Sequence, residues 1–429
     1  LRSVISDIKL RFKSKFVKNF FTLFSGSVIS QLILFAFIPL LSRLYTEDIF
    51  GLLFIFGSLV SILRIIATLR FELTIILPDD ERQAINLLII SLLINLVLNL
   101  VFLFLVFLFY EFIVRVSGEN NIGIWFYFVP VSSFLIGFFE IISSWNNREE
   151  KYKRISTGRI SKSVLTVGSQ ISHKFLSLSG NGLIIGSLAG QIFSSLLIFF
   201  LSFKSIIKNL YLFSIKESIS LFLKYKDIPL YNTLIGGINT LSNQIPFLIF
   251  GKYFGIETVA FFGMASRVVM TPTGLVAQSF GLVFYKRAAD IINQNGNLFI
   301  FVKKTYKNIL KLIAFPVIIV FISCFYFDYI FGEEWKRAGL YAAVMLPWIT
   351  IAFLNNPVTW IITLLNKQKF VLFFDIFLLI ARFLSIYLSA IFMFNDIFAV
   401  SLFSLTGFLF GIFMFYYLLR IAKQAQKAY

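Results

Sequence analysis

Long apolar runs alternate with short polar gaps along this chain, and runs of roughly 20 residues recur about twelve times, each enough for a helix to cross the ~30 Å hydrocarbon core of a bilayer. They fall at residues 20–41, 49–69, 84–110, 122–145, 163–178, 183–203, 229–250, 258–284, 309–330, 338–365, 370–393 and 397–419. This pattern predicts an all-α integral membrane protein. The gaps alternate in charge. One set holds Lys9, Arg11, Lys13, Lys15 and Lys18, then Arg82, Arg148 to Lys162, Lys204 to Lys226, Lys286 to Lys311, Lys367 and Lys369, and Arg420 to Lys427. The other set keeps Arg43, Arg115, Lys252, Lys336 and Arg337. Cytoplasmic loops carry the excess of Lys and Arg, so both termini are expected inside. The first run begins late and is long enough to span, which predicts an uncleaved anchor rather than a signal peptide.

Composition agrees. The chain is 58% hydrophobic and 14% charged, whereas soluble domains are about 45–50% apolar and about 25% charged. Its mean hydropathy is +0.87. A net charge of +18 is compatible with nucleic acid, but basic residues spaced between apolar runs orient helices and meet anionic lipid headgroups instead. No nucleic-acid partner is expected. The single cysteine, Cys324, excludes an intramolecular disulfide, and the single histidine, His173, excludes a His-based metal cluster. No cofactor is implied.

The polar stretch from Lys204 to Asp227 separates the runs into two sets of six. The expected organisation is therefore a bundle over residues 1–203, a cytoplasmic linker over 204–228 and a second bundle over 229–429. Two local matches suggest an internal repeat of the kind found in transporters. Thr22-Leu23-Phe24-Ser25-Gly26 corresponds to Thr233-Leu234-Ile235-Gly236-Gly237, and Lys174-Phe175-Leu176-Ser177 corresponds to Arg382-Phe383-Leu384-Ser385. Six spans per half leave both halves in one orientation, which predicts a pseudo-twofold axis along the membrane normal and a cavity between the halves.

Ionisable residues within the runs mark candidate function, since each is costly in hydrocarbon and usually faces a partner or a wet cavity. They are Arg64, Glu140, Lys174, Arg267, Asp375 and Arg382, with Arg70 and Glu72 near an inner end. Lys174 and Arg382 are expected at similar depth near the bilayer centre. A cavity lined by Lys174, Arg382, Arg64, Arg267 and Arg70 would hold an anion such as a phosphate or diphosphate. Two structural alternatives stand beside this: Asp375 paired with Arg382 at i, i+7, and Arg64 snorkelling to the interface. Glu140 is either a proton or cation site or a partner for a nearby Lys, and Asp375 is the second candidate for a coupling ion. Gln31, Gln170, Gln191, Asn239, Asn243, Gln244 and Gln278 either reach sugar hydroxyls or join helices. Pro39, Pro246, Pro272, Pro316 and Pro347 are hinges or static kinks. No nucleophile or base sits near a second polar group on a large loop, which argues against a membrane enzyme.

Several blocks resemble the bacterial polysaccharide-repeat-unit (O-antigen) flippases of the multidrug/oligosaccharidyl-lipid/polysaccharide (MOP) exporter superfamily. These are Arg43-Leu44-Tyr45-Thr46-Glu47-Asp48-Ile49-Phe50-Gly51, Arg70-Phe71-Glu72-Leu73 through Pro78, Trp145-Asn146-Asn147-Arg148, Tyr225-Lys226-Asp227-Ile228-Pro229, Lys286-Arg287-Ala288, and Gly332-Glu333-Glu334-Trp335 with Pro347-Trp348. The resemblance implies a V-shaped pair of six-helix bundles in the bacterial inner membrane. It implies movement of an undecaprenyl-diphosphate-linked oligosaccharide to the outer leaflet by alternating access, driven by an H+ or Na+ gradient or the membrane potential. The partners implied are that lipid-linked substrate, membrane lipids, a polysaccharide polymerase and a chain-length regulator. The family pattern departs at Glu47, at Ile49 and at Glu140, where an uncharged residue is expected. A multidrug exporter of the same superfamily shares the topology, but cationic drugs favour interior acids. An ion channel is the third class.

Overall fold

The computed structural model describes residues 15–111, 123–294 and 296–427. Lys9, Arg11, Lys13 and Arg115 lie outside the described residues, as do the side chains of Lys15, Lys18, Pro272, Gln278, Pro316 and Lys427. Every regular element described is a helix. Hydrocarbon supplies no partner for a backbone N–H or C=O, and a helix satisfies both within one segment.

In chain order the helices are α1 (Lys15–Ala36), α2 (Ile38–Leu44), α3 (Glu47–Thr68), a 3-10 turn (Phe71–Ile76), α4 (Glu81–Leu108), α5 (Trp125–Arg148), α6 (Tyr152–Phe175), α7 (Gly182–Leu210) and α8 (Ile215–Tyr225). They continue with α9 (Asp227–Phe254), α10 (Ile256–Asn293), α11 (Leu298–Cys324), α12 (Phe327–Phe331), a 3-10 turn (Glu333–Trp335), α13 (Lys336–Asn355), α14 (Trp360–Leu364), α15 (Gln368–Ile391) and α16 (Asp396–Lys427). Asp80, Asn181 and Asn297 accept backbone N–H bonds at the starts of α4, α7 and α11, the usual role of short polar side chains at that position.

Eight helical segments are long and apolar enough to cross a membrane, among the described residues. The other four apolar runs fall on α6, α9, α10 and α11. Of these α6 is the most polar, with Lys153, Arg154, Arg159, Lys162 and Lys174. It also starts at Tyr152, well before the expected residue 163. Hydropathy misplaced this boundary because a helix continues through polar residues wherever neighbouring helices pack against them.

The described chain divides into two compact units. The first holds α1, α2, α3 from Phe56, α4 to α8 and α9 as far as Gly237; the second holds Tyr45–Ile55 and the described chain from Ile238. In the first unit α6 packs closely on α1 and α7, while α5 packs on α4 and α7. The α6–α7 seam is made by glycine. A Cβ at Gly190 would come within 2.7 Å of the Lys162 carbonyl oxygen, and one at Gly186 within 2.9 Å of the Thr166 carbonyl oxygen. Gly182, Gly186 and Gly190 repeat every fourth residue, the small-residue spacing that lets membrane helices approach. Along α6 the residues turned to these neighbours are Ser156, Arg159, Ser163, Thr166, Gln170 and His173, spaced three and four apart. Ser156 Oγ donates to the Thr22 carbonyl at 2.8 Å, and Gln170 Nε2 to the Leu183 carbonyl at 3.0 Å. The short α8 is tied back by Asn86 of α4. Its Nδ2 donates to the Leu212 carbonyl, and its Oδ1 accepts from Ser214 N and Ser218 Oγ.

The second unit repeats the scheme. The pairs α4–α5, α5–α7, α6–α7 and α4–α7 of the first unit recur as α11–α13, α13–α16, α15–α16 and α11–α16. The correspondence places α6 opposite α15 in the repeat. Polar bolts again join helices: Asn355 of α13 accepts from Tyr306 Oη at 3.1 Å and donates to the Gly411 carbonyl at 2.7 Å. Asp396, at the start of α16, is held by Arg337 and Tyr341. Two of the sequence blocks meet here. Phe50 packs edge-on against Trp335 with centroids 5.0 Å apart, and a Cβ at Gly51 would collide with Ile256.

Because the α6–α7 seam has no room for a side chain at Gly190, Gly190→Leu should lower unfolding free energy by about 1–3 kcal/mol or abolish folding. Thermal unfolding of the detergent-solubilised protein checks this; an unchanged midpoint would mean the seam is not built as described.

Candidate functional site

The first unit contains a cluster of charges that no single segment of sequence displays. Arg64, near the end of α3, is paired with Glu140 of α5; their side chains are 30% and 34% exposed. Arg159 and Lys162 of α6 lie within electrostatic range of Glu140, and Lys162 also of Arg64 and Arg159. Arg159 Nη1 donates to Ser27 Oγ on α1, and the Arg159 carbonyl accepts from Ser30 Oγ at 3.1 Å. The turn after α3 adds Arg70 and Glu72. Leu69 and Arg70 both adopt positive φ, 48° and 52°, a costly conformation for residues with a Cβ. This turn carries the Arg70 side chain against Gly236, whose added Cβ would stand 2.6 Å from Arg70 Nη1.

The depths agree. At 1.5 Å per residue Glu140 lies roughly 12 Å before the end of α5, and Arg159 and Lys162 roughly 10 and 15 Å after the start of α6. Since α6 follows α5 directly, these distances are measured from the same end of the bundle. Four cations, Arg64, Arg70, Arg159 and Lys162, thus surround two carboxylates, Glu72 and Glu140. Such a site attracts an anion, and the exposure of the Arg64–Glu140 pair leaves it within reach of a ligand.

Glu72 is 7% exposed, and its Oε2 has no hydrogen-bond partner among the described residues. Burial pushes its carboxyl up to about 7; the Glu140 carboxylate adds to the rise, while its own backbone N–H and the Arg70 and Arg64 guanidiniums oppose it.

The other sequence candidates are elsewhere. Lys174 is exposed in the last turn of α6, not at mid-helix, because α6 starts earlier than hydropathy suggested. Arg382 lies in the middle of α15, so the equal depth expected for this pair does not hold. Arg382 is 4% exposed in the second unit. Its Nη1 donates to Ser242 Oγ at 3.0 Å and to Asn243 Oδ1 at 3.3 Å, and its guanidinium stacks over Trp348 at 4.8 Å and Phe403 at 5.1 Å. Asp375 hydrogen-bonds Asn239 and interacts electrostatically with Arg382. Arg382 and Asp375 together bridge α9 and α15, the counterparts of α1 and α6, whose own contact is closed by serine and glycine. Arg267 lies over the Phe54 ring at 5.8 Å, and no ion pair involves it among the described residues.

Arg159 and Lys162 are the site residues that the sequence reading assigned to a cytoplasmic loop. A signal was present: the polar residues of α6 recur at helical spacing from Ser156 to His173, which marks one face of a helix rather than a loop.

Together, the eight long apolar helices among the described residues and the repeated packing scheme define a multi-pass membrane protein with the fold of MOP-superfamily transporters. Its structure is similar to the lipid II flippase MurJ in an inward closed conformation (TM-score 0.71, 15% identity, covering 95% of this chain and 90% of that one). It is also similar to a multidrug resistance MATE family transporter of the MOP superfamily in an inward-facing conformation (TM-score 0.65, 15% identity, 95% of each chain). A third likeness is to a MOP superfamily transporter from Pyrococcus furiosus (TM-score 0.61, 14% identity, 94% of each chain). The model of the polysaccharide biosynthesis protein family matches residues 40–339, and the chain belongs to that family. No curated protein matches the sequence.

Two outcomes follow from the charges. A carboxyl raised in the folded state binds more protons there than in the unfolded chain, so Glu72 lowers stability as pH rises from its ordinary value of 4.5 to about 7. Glu72→Gln should remove that slope and raise stability at pH 8 by roughly 3 kcal/mol, seen as a thermal midpoint that no longer falls over this range. Arg382→Ala should destabilise the second unit by about 2 kcal/mol or more through loss of its desolvated stacking and hydrogen bonds. A normal midpoint for that variant would remove Arg382 from the list of structural fasteners.

Proposed function

We propose that this protein is a transporter, not an enzyme, that carries an undecaprenyl-diphosphate-linked oligosaccharide from the cytoplasmic to the periplasmic leaflet of the bacterial inner membrane. About twelve spans with both termini inside, and alternating access, belong to this reading. The observation that carries it is the excess of cations in the cluster of the first unit, where Arg64, Arg70, Arg159 and Lys162 outnumber Glu72 and Glu140. Guanidinium and ammonium groups recognise phosphoryl oxygens through charge-assisted hydrogen bonds. Arg267 of the second unit, with no paired acid among the described residues, is a further candidate for the anionic head, and Lys174 a peripheral one. Membership of the polysaccharide biosynthesis family and the likeness to a lipid II flippase support a sugar-bearing lipid.

The energetics suit this cargo. Each negative charge moved outward across an inside-negative membrane gains about 2.3 kcal/mol per 100 mV. Asp375, beside Asn239, and Glu140 are the candidate sites for a coupling proton or Na+. A polymerase and a chain-length regulator are the proposed protein partners. Multidrug export is the second reading, favoured by the likeness to MATE transporters, but a cluster dominated by cations repels cationic drugs.

Deleting the gene should cause lipid-linked repeat units to accumulate on the cytoplasmic leaflet. In the complemented strain Arg159→Ala or Lys162→Ala should each slow translocation roughly tenfold, the effect of about 1.5 kcal/mol from one lost charge-assisted hydrogen bond. Normal surface polysaccharide in the deletion strain, or in the double alanine variant at normal expression, would contradict the assignment.

A further inference from the structure

The cluster already contains an anion. The Glu140 carboxylate is paired with Arg64 and lies within range of Arg159 and Lys162. One carboxylate surrounded by three cations is the arrangement that a bound phosphoryl group would produce. Other charges facing it come from Glu72 on the turn after α3. The helices α4 and α7 present amides and hydroxyls to α5 instead: Asn95 Nδ2 donates to the Phe134 carbonyl, Gln191 Oε1 accepts from Ser132 Oγ, and Ser195 Oγ donates to the Leu135 carbonyl. Glu140 is thus without a second cation partner on α4 or α7 to which it could turn if Arg64 were taken from it, among the described residues.

We infer that Glu140 is a resident stand-in for the substrate's phosphoryl oxygens, holding Arg64 when the site is empty and being displaced from it when a diphosphate binds. The identity of the anion rests on the transport reading above; the competition does not, because it follows from two anionic groups contending for Arg64, Arg159 and Lys162. A site closed by its own counter-ion binds ligand with an affinity reduced by the fraction of molecules in which the pair is open. The same carboxylate returns to Arg64 when the ligand leaves, so it assists release. Glu140 is then a specificity and turnover residue: it weakens ground-state binding and keeps the cations paired between cycles.

Full-length protein in nanodiscs of zwitterionic lipid, titrated calorimetrically with inorganic pyrophosphate, tests the competition. Glu140→Gln should bind pyrophosphate at least tenfold more tightly than wild type, and Lys162→Gln added to it should cancel most of the gain. Equal or weaker binding by Glu140→Gln, or no pyrophosphate binding by either protein, overturns the inference. Should Glu140→Gln fail to fold, Arg159→Gln and Lys162→Gln in the wild-type background decide: each should weaken binding about tenfold, and unchanged affinity overturns it. A gain with pyrophosphate in a protein whose deletion causes no accumulation of lipid-linked sugar would remove the transport reading and leave the competition standing. Accumulation on deletion together with wild-type affinity in Glu140→Gln would do the reverse.

Discussion

Hydrocarbon offers a polar group nothing to bond to, and that single constraint organises this molecule. It makes every regular element among the described residues a helix, and it favours a partner inside the protein for polar side chains placed among the helices. Several amides and hydroxyls act as fasteners: Gln170 bonds the Leu183 carbonyl, Asn355 links Tyr306 to Gly411, and Ser156 reaches Thr22. Charges comply at greater cost, and so mark the positions where the protein departs from simple packing. Arg64 has Glu140 and Arg382 has three oxygen acceptors and two aromatic rings, whereas Arg267 has a ring.

The two units answer the constraint differently at equivalent places. Where α1 meets α6, glycine and serine bring backbones together, and a Cβ at Gly26 would stand 2.9 Å from Ser156 Cα. Where α9 faces α15, the long Arg382 side chain crosses to Ser242, and Asp375 reaches Asn239. One common packing scheme therefore supports a tight polar seam in one unit and a bridged, charged one in the other. The cation-rich cluster sits beside the tight seam, with Arg159 anchored through Ser27. Its position is held by helix packing, so its half-buried Arg64–Glu140 pair need not secure it.

Much of this was legible in the chain. The apolar runs marked the helices, and Arg64, Glu140, Arg267, Asp375 and Arg382 were identifiable as charges inside them. The blocks around Gly51 and Trp335 were each recognisable as resembling the family's pattern, although their direct contact was not. The exception is α6. Its first half reads as a loop because Lys153, Arg154, Arg159 and Lys162 lower the local hydropathy, yet Ser156, Ser163, Thr166 and Gln170 keep helical spacing. Hydropathy alone therefore sets Lys174 at mid-helix instead of in the last turn, and sets Arg159 and Lys162 in a loop. A polar helix can be accommodated in a membrane bundle when its polar stripe is covered by neighbours, as α1 and α7 cover this one.

Sequence by itself determined the helical membrane character and the identities of the charges within the runs, because hydropathy and period are local properties summed along the chain; the repeat is a matter of packing, and the Lys174 and Arg382 segments that suggested it fall at different places in their helices. Tertiary structure alone decided which charges meet. Arg64 and Glu140 are separated by 76 positions, and Arg382 and Ser242 by 140; no local pattern encodes such a meeting. It depends on which helix faces turn toward each other, and in a membrane bundle those faces are selected by close backbone approach and by polar groups that have no solvent to turn to.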